Sequence, residues 1–229
     1  VQFNVVTLFP EFFTSPLEAS LLGKAVKSNV ICVKLINPRD FTPYKHRKVD
    51  DTPYGGGAGM VMMAEPIARA VEAIKSTDRE SRVILLSARG RLFDAQIARQ
   101  YATQYKSITL ICGHYEGVDE RVAQYIADES LRIGNYILSG GEIAALAVID
   151  AVARRLPGFM GNSESLAHES FDKGENFEYP QYTRPEDWRG HKVPEVLLSG
   201  NHAKIAEWRE QEAKKSDFGL NHSKAKKDC

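Results

Sequence analysis

Two hydrophobic periods alternate along the first 156 residues. Phe3 to Leu8 is a short, valine-bearing apolar run, which predicts a strand. Ser15-Pro16-Leu17-Glu18 predicts a helix start, with Ser15 as cap, Pro16 at the first helical position and Glu18 closing a capping box. Leu17, Leu21, Leu22, Ala25 and Val26 follow at helical spacing, and Val30 to Ile36 reads as the next strand. Glu65-Pro66 opens a helix with Ile67, Ala70, Val71 and Ile74 on one face. A strand over Val83 to Leu86, a helix capped by Asp94 and a strand over Ser107 to Cys112 come next. Val118 to Ala127 reads as a short helix, and Leu131 to Leu138 as mixed strand and loop. Gly141 to Leu156 is a long apolar helix stopped by Pro157-Gly158. Such alternation, with nearly continuous apolar strands, indicates an α/β fold with a mainly parallel sheet. Ligands of these sheets bind at the carboxyl ends of the strands, which singles out Ser87 to Arg91, Gly113 to Arg121 and Gly134 to Gly141.

The pattern breaks in two places. Asn37 to Gly59 has little periodicity, and a loop of that length inside a compact domain is usually functional. After Pro157 the texture changes: Gly161 to Asp187 carries seven acids, two bases and few aliphatics, which reads as a linker or lid. Val193 to Lys215 is helical in pattern, with Ile205 and Trp208 as its packing residues. Lys214 to Lys227 then carries five lysines against Asp217.

Composition narrows the class. At 229 residues and 43% hydrophobic, the chain can bury a core without disulfide or metal staples, and its length suits one domain plus a smaller second. Lysine plus arginine equals aspartate plus glutamate at 30 each, which excludes a uniformly basic coat protein and an acidic disordered chain. The balance is segregated, however, into basic clusters at Arg39 to Lys48 and Lys214 to Lys227 and the acidic stretch between domains. Three cysteines without a C-x-x-C pair fit neither a disulfide scaffold nor a zinc site; Cys32 and Cys112 sit in apolar runs and read as buried thiols. No run of 18 apolar residues occurs, and Val1 to Phe9 lacks the basic start of a signal peptide, so a reducing cytoplasmic location is expected. No metal-ligand spacing is visible, so no metal held by the protein is expected.

Gly55-Gly56-Gly57-Ala58-Gly59 is the densest glycine cluster, yet it is neither G-x-G-x-x-G nor a P-loop, which removes the main support for an oxidoreductase or an ATP site. Lys45-His46-Arg47-Lys48, interleaved with Phe41, Tyr44 and Tyr54, suits phosphate contact and base stacking. Behind Cys112, Gly113 lets a ligand reach a strand end. Asp119 and Glu120 read as plain helix-start acids, and Glu116, which precedes the helix, does not. Ser139, Gly140 and Gly141 suit a backbone nest at a helix N-terminus. Arg154 and Arg155 end that helix, either as dipole partners or with one of them facing developing negative charge. Glu164, His168 and Glu169 are candidate general bases.

Several of these segments together resemble one family. They are Leu8-Phe9-Pro10-Glu11, Pro38-Arg39-Asp40-Phe41, Asp50-Asp51-Thr52-Pro53-Tyr54-Gly55-Gly56-Gly57 and Gly59-Met60. Tyr115-Glu116-Gly117-Val118-Asp119-Glu120-Arg121, Leu138-Ser139-Gly140-Gly141-Glu142, Tyr182-Thr183-Arg184-Pro185 and Leu198-Ser199-Gly200-Asn201-His202 complete the set. In order and spacing they resemble the bacterial tRNA (guanine-N1)-methyltransferases, the TrmD family of SPOUT enzymes.

The resemblance implies a deep trefoil knot in residues 1–160, which bind S-adenosyl-L-methionine. It implies an interdomain linker or lid at 161–175 and a helical tRNA-binding domain at 176–229. It implies a homodimer with the active site at the subunit interface, and N1 of the guanosine at tRNA position 37 as target. The cofactor loops become Leu86, Ser87, Ala88, Gly113, Tyr115 and Glu116, with Ile133, Gly134, Asn135, Tyr136, Ile137, Leu138, Gly140 and Gly141. Gly59, Asp50, Tyr54, His46 and Ser165 become substrate contacts, and Glu169, Arg154 and Glu116 the catalytic set. One departure stands out: Glu169 occupies the position of the family's usual aspartate base. A knotted methyltransferase for another RNA and a non-catalytic RNA-binding protein are the competing readings.

Overall fold

The computed structural model describes residues 1–160 and 178–214. The chain divides into two compact units, Val1–Gly161 and Asn162–Cys229. The first runs β1 (Gln2–Val6), α1 (Thr14–Glu18), α2 (Ser20–Lys27), β2 (Cys32–Ile36), β3 (Asp50–Asp51), β4 (Val61–Met62) and α3 (Ala64–Thr77). It continues through β5 (Arg82–Leu92), α4 (Ala95–Gln104), β6 (Ser107–Cys112), α5 (Glu120–Tyr125), β7 (Glu129–Arg132) and α6 (Glu142–Ala153). Five strands form one sheet in the order β2-β1-β6-β5-β7, every neighbouring pair parallel. The α/β class with a parallel sheet is therefore as the sequence pattern indicates.

Side chains alternate across this sheet and feed two cores. Phe3, Val5, Ile84, Leu86, Ile108 and Leu110 face one side, where α6 supplies Ala145, Val148, Ile149 and Val152. Val6, Val83, Leu85 and Ile111 face the other, against Ile67, Ala70, Val71 and Ile74 of α3 and Val122 of α5. All six residues of β6 are buried, as a central strand covered on both faces must be. The polar interruptions in these runs are paired: Asn4 donates to Ser107 Oγ at 3.3 Å, and Ser81 and Thr109 hydroxyls lie 2.8 Å apart. At α4, the Asp94 carboxylate accepts from the Ile97 amide at 2.8 Å. Asp94→Ala is expected to cost about 1 kcal/mol, seen as a lower urea midpoint at unchanged slope.

Some boundaries differ from the pattern reading. The first helix begins at Thr14, directly after a turn of 3-10 helix at Pro10–Phe13, and its N-cap is Phe13 without a side-chain bond. Ser15 is thus inside the helix, and neither the Ser15 cap nor the capping box forms. The helix also breaks at Ala19, which is extended, and Ser20, whose φ is 51°. Strand β5 runs on to Leu92 with a register shift between Leu86 and Arg91. The helix expected over Val118 to Ala127 is shorter, Glu120–Tyr125, because Asp119 caps it. Cys32 is exposed, unlike the buried Cys112, because β2 is an edge strand with a neighbour on one side alone.

In the second unit, the described residues contain a hairpin, β8 (Asp187–Trp188) and β9 (His191–Lys192), then α7 (Glu195–Leu198) and α8 (His202–Ala213). Arg189 and Gly190 take φ values of 56° and 86°, the positive pair that a tight two-residue hairpin needs. The single helix expected over Val193 to Lys215 is two helices, separated at Ser199-Gly200, where Gly200 has φ 68°. Trp208 packs near Tyr182, with ring centres 6.3 Å apart. The acidic stretch 161–177 and the lysines beyond 214 lie outside the described residues.

Candidate active site

One cleft of about 510 Å³ opens where β5 shifts register and where β6 and β7 end. Three loops line it, contributing Leu86-Ser87-Ala88, Gly113 to Val118, and Ile133 to Gly141 without Asn135. These are the three strand ends that the pattern singled out, and the volume suits a small molecule. Asn135 instead accepts from Arg132 Nε at 3.1 Å. Tyr136 and Ile137 are exposed at the rim.

The loops are held by backbone. Gly141 N donates to Gly113 O at 2.8 Å, and His114 bridges to Gly140. A Cβ on Gly141 would stand 2.7 Å from Cys112 Cα, so this close approach requires glycine. Tyr115 sits at φ 60°, which turns the loop so that Glu116 faces the cleft. Glu116 N donates to Met60 O and Met62 N to Gly117 O, which stitches the end of the glycine cluster to this loop. Gly59, at φ 80°, lies so close to Glu116 that a Cβ there would be 2.6 Å from its Oε1.

The three acids of this loop separate by environment. Asp119 caps α5 and takes bonds from the Arg121 amide at 3.0 Å and from its guanidinium at 2.6 and 2.8 Å. That arginine holds the Asp119 carboxyl below its ordinary range, against some burial. Glu120 opens α5 and accepts from Arg89 at 3.0 Å across the cleft's mouth. Glu116 lines the cleft with no ion pair among the described residues. The plain helix-start reading thus suffices for Asp119, and Glu116 remains the acid available to a ligand.

The other sequence-derived residues lie apart from the cleft. Tyr54 is fully exposed, His46 is exposed on a positive-φ turn, and Asp50 belongs to the short β3–β4 ladder. The basic cluster is partly neutralised locally, Arg47 by Asp40 and Lys48 by Asp51 at 2.8 Å. Arg154 is the C-cap of α6, so it lies about 18 Å along the axis from the α6 end that lines the cleft. Glu164, Ser165, His168 and Glu169 lie outside the described residues. Arg89 and His114, in loops the pattern singled out without giving these residues a role, and Arg132 also line the cleft; the His114 ring lies tilted against Phe9 at 4.8 Å. Their signal was weak, because only the folded loops bring them to the same opening.

A parallel α/β sheet whose glycine-bearing strand ends form a backbone-lined cleft defines a small-ligand-binding α/β protein. Residues 1–219 match the family model described as tRNA (Guanine-1)-methyltransferase TrmD, and the chain belongs to that family. It is 52% identical over 212 residues to a tRNA (guanine-N(1)-)-methyltransferase of Trichodesmium erythraeum, covering 93% of this chain and 92% of the relative. The protein of the same name from Gloeobacter violaceus is 51% identical over 212 residues, at 93% and 92% coverage. That from Carboxydothermus hydrogenoformans is 52% identical over 213 residues, at 93% and 83% coverage.

Proposed function

We propose that this chain methylates N1 of the guanosine at tRNA position 37, using S-adenosyl-L-methionine bound in the cleft. The observation that carries this reading is the cleft itself, in which Leu138 to Gly141 and Gly113 to Gly117 meet at the strand ends of a family member. The residues present fit such a donor. Backbone amides and carbonyls can bind adenosine and amino-acid groups, Glu116 can face a cation, and the volume is adequate. When bound, the donor supplies a methyl group on a sulfonium that departs as a neutral thioether.

The remaining chemistry falls to the protein. Guanine N1 carries a proton, and Glu169 takes it as general base. Negative charge that develops toward O6 is met by Arg154. Because Arg154 lies at the far end of α6 from its own cleft, it serves the cleft of a second copy, which makes the working unit a homodimer. We further propose a trefoil-knotted catalytic domain over residues 1–160, a lid at 161–175 carrying Ser165 and Glu169, and a tRNA clamp at 176–229. Asp50, Tyr54 and His46 contact the tRNA, and Gly59 lets the target base approach Glu116. The protein works in the cytoplasm. Among the described residues, no helix is long and apolar enough to cross a membrane.

Gly141→Ala is expected to weaken binding of S-adenosyl-L-methionine by about tenfold or more, since the Cβ must push the Cys112 backbone. Calorimetry measures this, with a thermal melt to report the fold. The function itself is tested by single-turnover transfer of labelled methyl from S-adenosyl-L-methionine to a tRNA transcript. Label in the transcript with guanosine at position 37, and none when that guanosine is replaced, supports the reading; equal label in both overturns it.

A further inference from the structure

Among the described residues, Glu142 is the one carboxylate that is buried, at 5% exposure. It opens α6 directly behind Gly140 and Gly141, which line the cleft. Its Oε1 accepts from the Thr7 hydroxyl at 2.8 Å, and that hydroxyl in turn accepts from the Phe9 amide at 3.0 Å. Its Oε2 points at the place where Gly140 lacks a Cβ, a point 2.6 Å from His114 Nδ1 and closer still to Oε2. His114 Nδ1 is itself buried without a partner. No lysine, arginine or histidine nitrogen among the described residues pairs with this carboxylate within 4.0 Å.

A buried carboxylate without a paired cation is costly, and such groups are normally compensated. The α6 dipole and the Thr7 hydroxyl compensate in part. The negative field is felt locally: the Cys112 thiol is pushed well above its ordinary range, first by burial and then by Glu142. Gly140, against whose missing Cβ this carboxylate sits, itself lines the cleft, and charge acts more strongly through packed protein than through water.

We propose that Glu142 supplies counter-charge to a cationic cofactor in the cleft, so that this residue selects the sulfonium donor over the neutral thioether product. The missing Cβ at Gly140 keeps the carboxylate close to the ligand. Glu142 touches no ligand; it acts as a specificity residue through its field. The consequence is directional, because once the methyl group leaves, the attraction disappears and the product is released more readily. This inference rests on the methyl donor proposed above.

The test is calorimetric binding of three ligands to the full-length wild-type protein and to Glu142→Gln, which retains the Thr7 bond and removes the charge. The ligands are S-adenosyl-L-methionine, S-adenosylhomocysteine, and sinefungin, whose ammonium replaces the sulfonium. Glu142→Gln is expected to weaken the two cationic ligands by about tenfold and to leave the thioether unchanged. Glu142→Asp, which keeps the charge, is expected to keep the wild-type preference. A purely structural role would weaken all three ligands alike, and that result, or an unchanged set of affinities, would overturn the inference. Should Glu142→Gln melt below the assay temperature, the same comparison on Glu142→Met decides. Failure of the wild-type protein to bind any of the three would instead overturn the donor assignment.

Discussion

Glu169→Gln is expected to lower single-turnover methyl transfer by about 10²–10⁴-fold while the affinity for S-adenosyl-L-methionine stays within about twofold. The amide has the shape of the carboxylate and cannot accept the N1 proton. A guanine N1 that keeps its proton has no lone pair with which to attack. Glutamate is one methylene longer than aspartate, which changes the distance from backbone to carboxylate by roughly 1 Å. Glu169→Asp is therefore expected to lose rate through geometry alone, and far less than the amide. Near-normal turnover in Glu169→Gln would move the base to Glu164 or His168, the other candidates in the same segment.

Arg154→Ala is expected to slow the chemical step by about 10²–10³-fold, again without loss of cofactor affinity. An effect on cofactor affinity alone would count against a role at the developing O6 charge. The position of Arg154 allows a sharper form of the test. It caps the carboxyl end of α6, whereas Gly140, Gly141 and Ala144 at the other end line the cleft. The separation of about 18 Å exceeds the reach of an arginine side chain. In the proposed homodimer, co-expressed Arg154→Ala and Gly141→Ala chains would form mixed dimers in which one cleft is intact and faces an intact Arg154, read at a donor concentration too low to fill the Gly141→Ala cleft. Activity is then expected to recover to about a quarter of wild type. No recovery would place Arg154 and its cleft in the same chain.

The sheet was legible because central parallel strands are buried on both faces, so Ser107 to Cys112 and Phe3 to Val6 appear as largely apolar runs, interrupted by Asn4, Ser107 and Thr109. The cleft was legible for a related reason: its loops need glycine where backbones meet, as at Gly141 against Cys112. Edge position was not legible. Cys32 lies in an apolar run like those of the central strands, and only strand order reveals that β2 has one neighbour. Helix punctuation failed where tertiary geometry overrode local signals. Ser15-Pro16 reads as a start, yet the preceding 3-10 turn already leads the chain into helix at Thr14.

The acids behaved differently. Asp119 and Glu116 are three residues apart with the same side-chain chemistry, and their separation into cap and cleft acid follows from the turn at Tyr115 and the partner Arg121. The proximity of Gly59 to Glu116 spans 57 residues and depends on the backbone bonds that join Met60 and Met62 to the Glu116 loop. Glu142 carried no signal beyond its place in the Leu138 to Glu142 segment, because nothing local marks a helix-start acid as buried.

A methyl group on guanine N1 blocks Watson–Crick pairing, so the product can be located to one nucleotide. The decisive measurement is reverse-transcription primer extension on a tRNA transcript after incubation with the protein and S-adenosyl-L-methionine, followed by mass analysis of the digested nucleosides. A new stop one nucleotide before position 37, together with N1-methylguanosine in the digest and neither without the donor, is the expected result. Methyl transfer to another nucleotide or another atom of guanine, or a transcript left unmodified by protein that binds the donor, would contradict it.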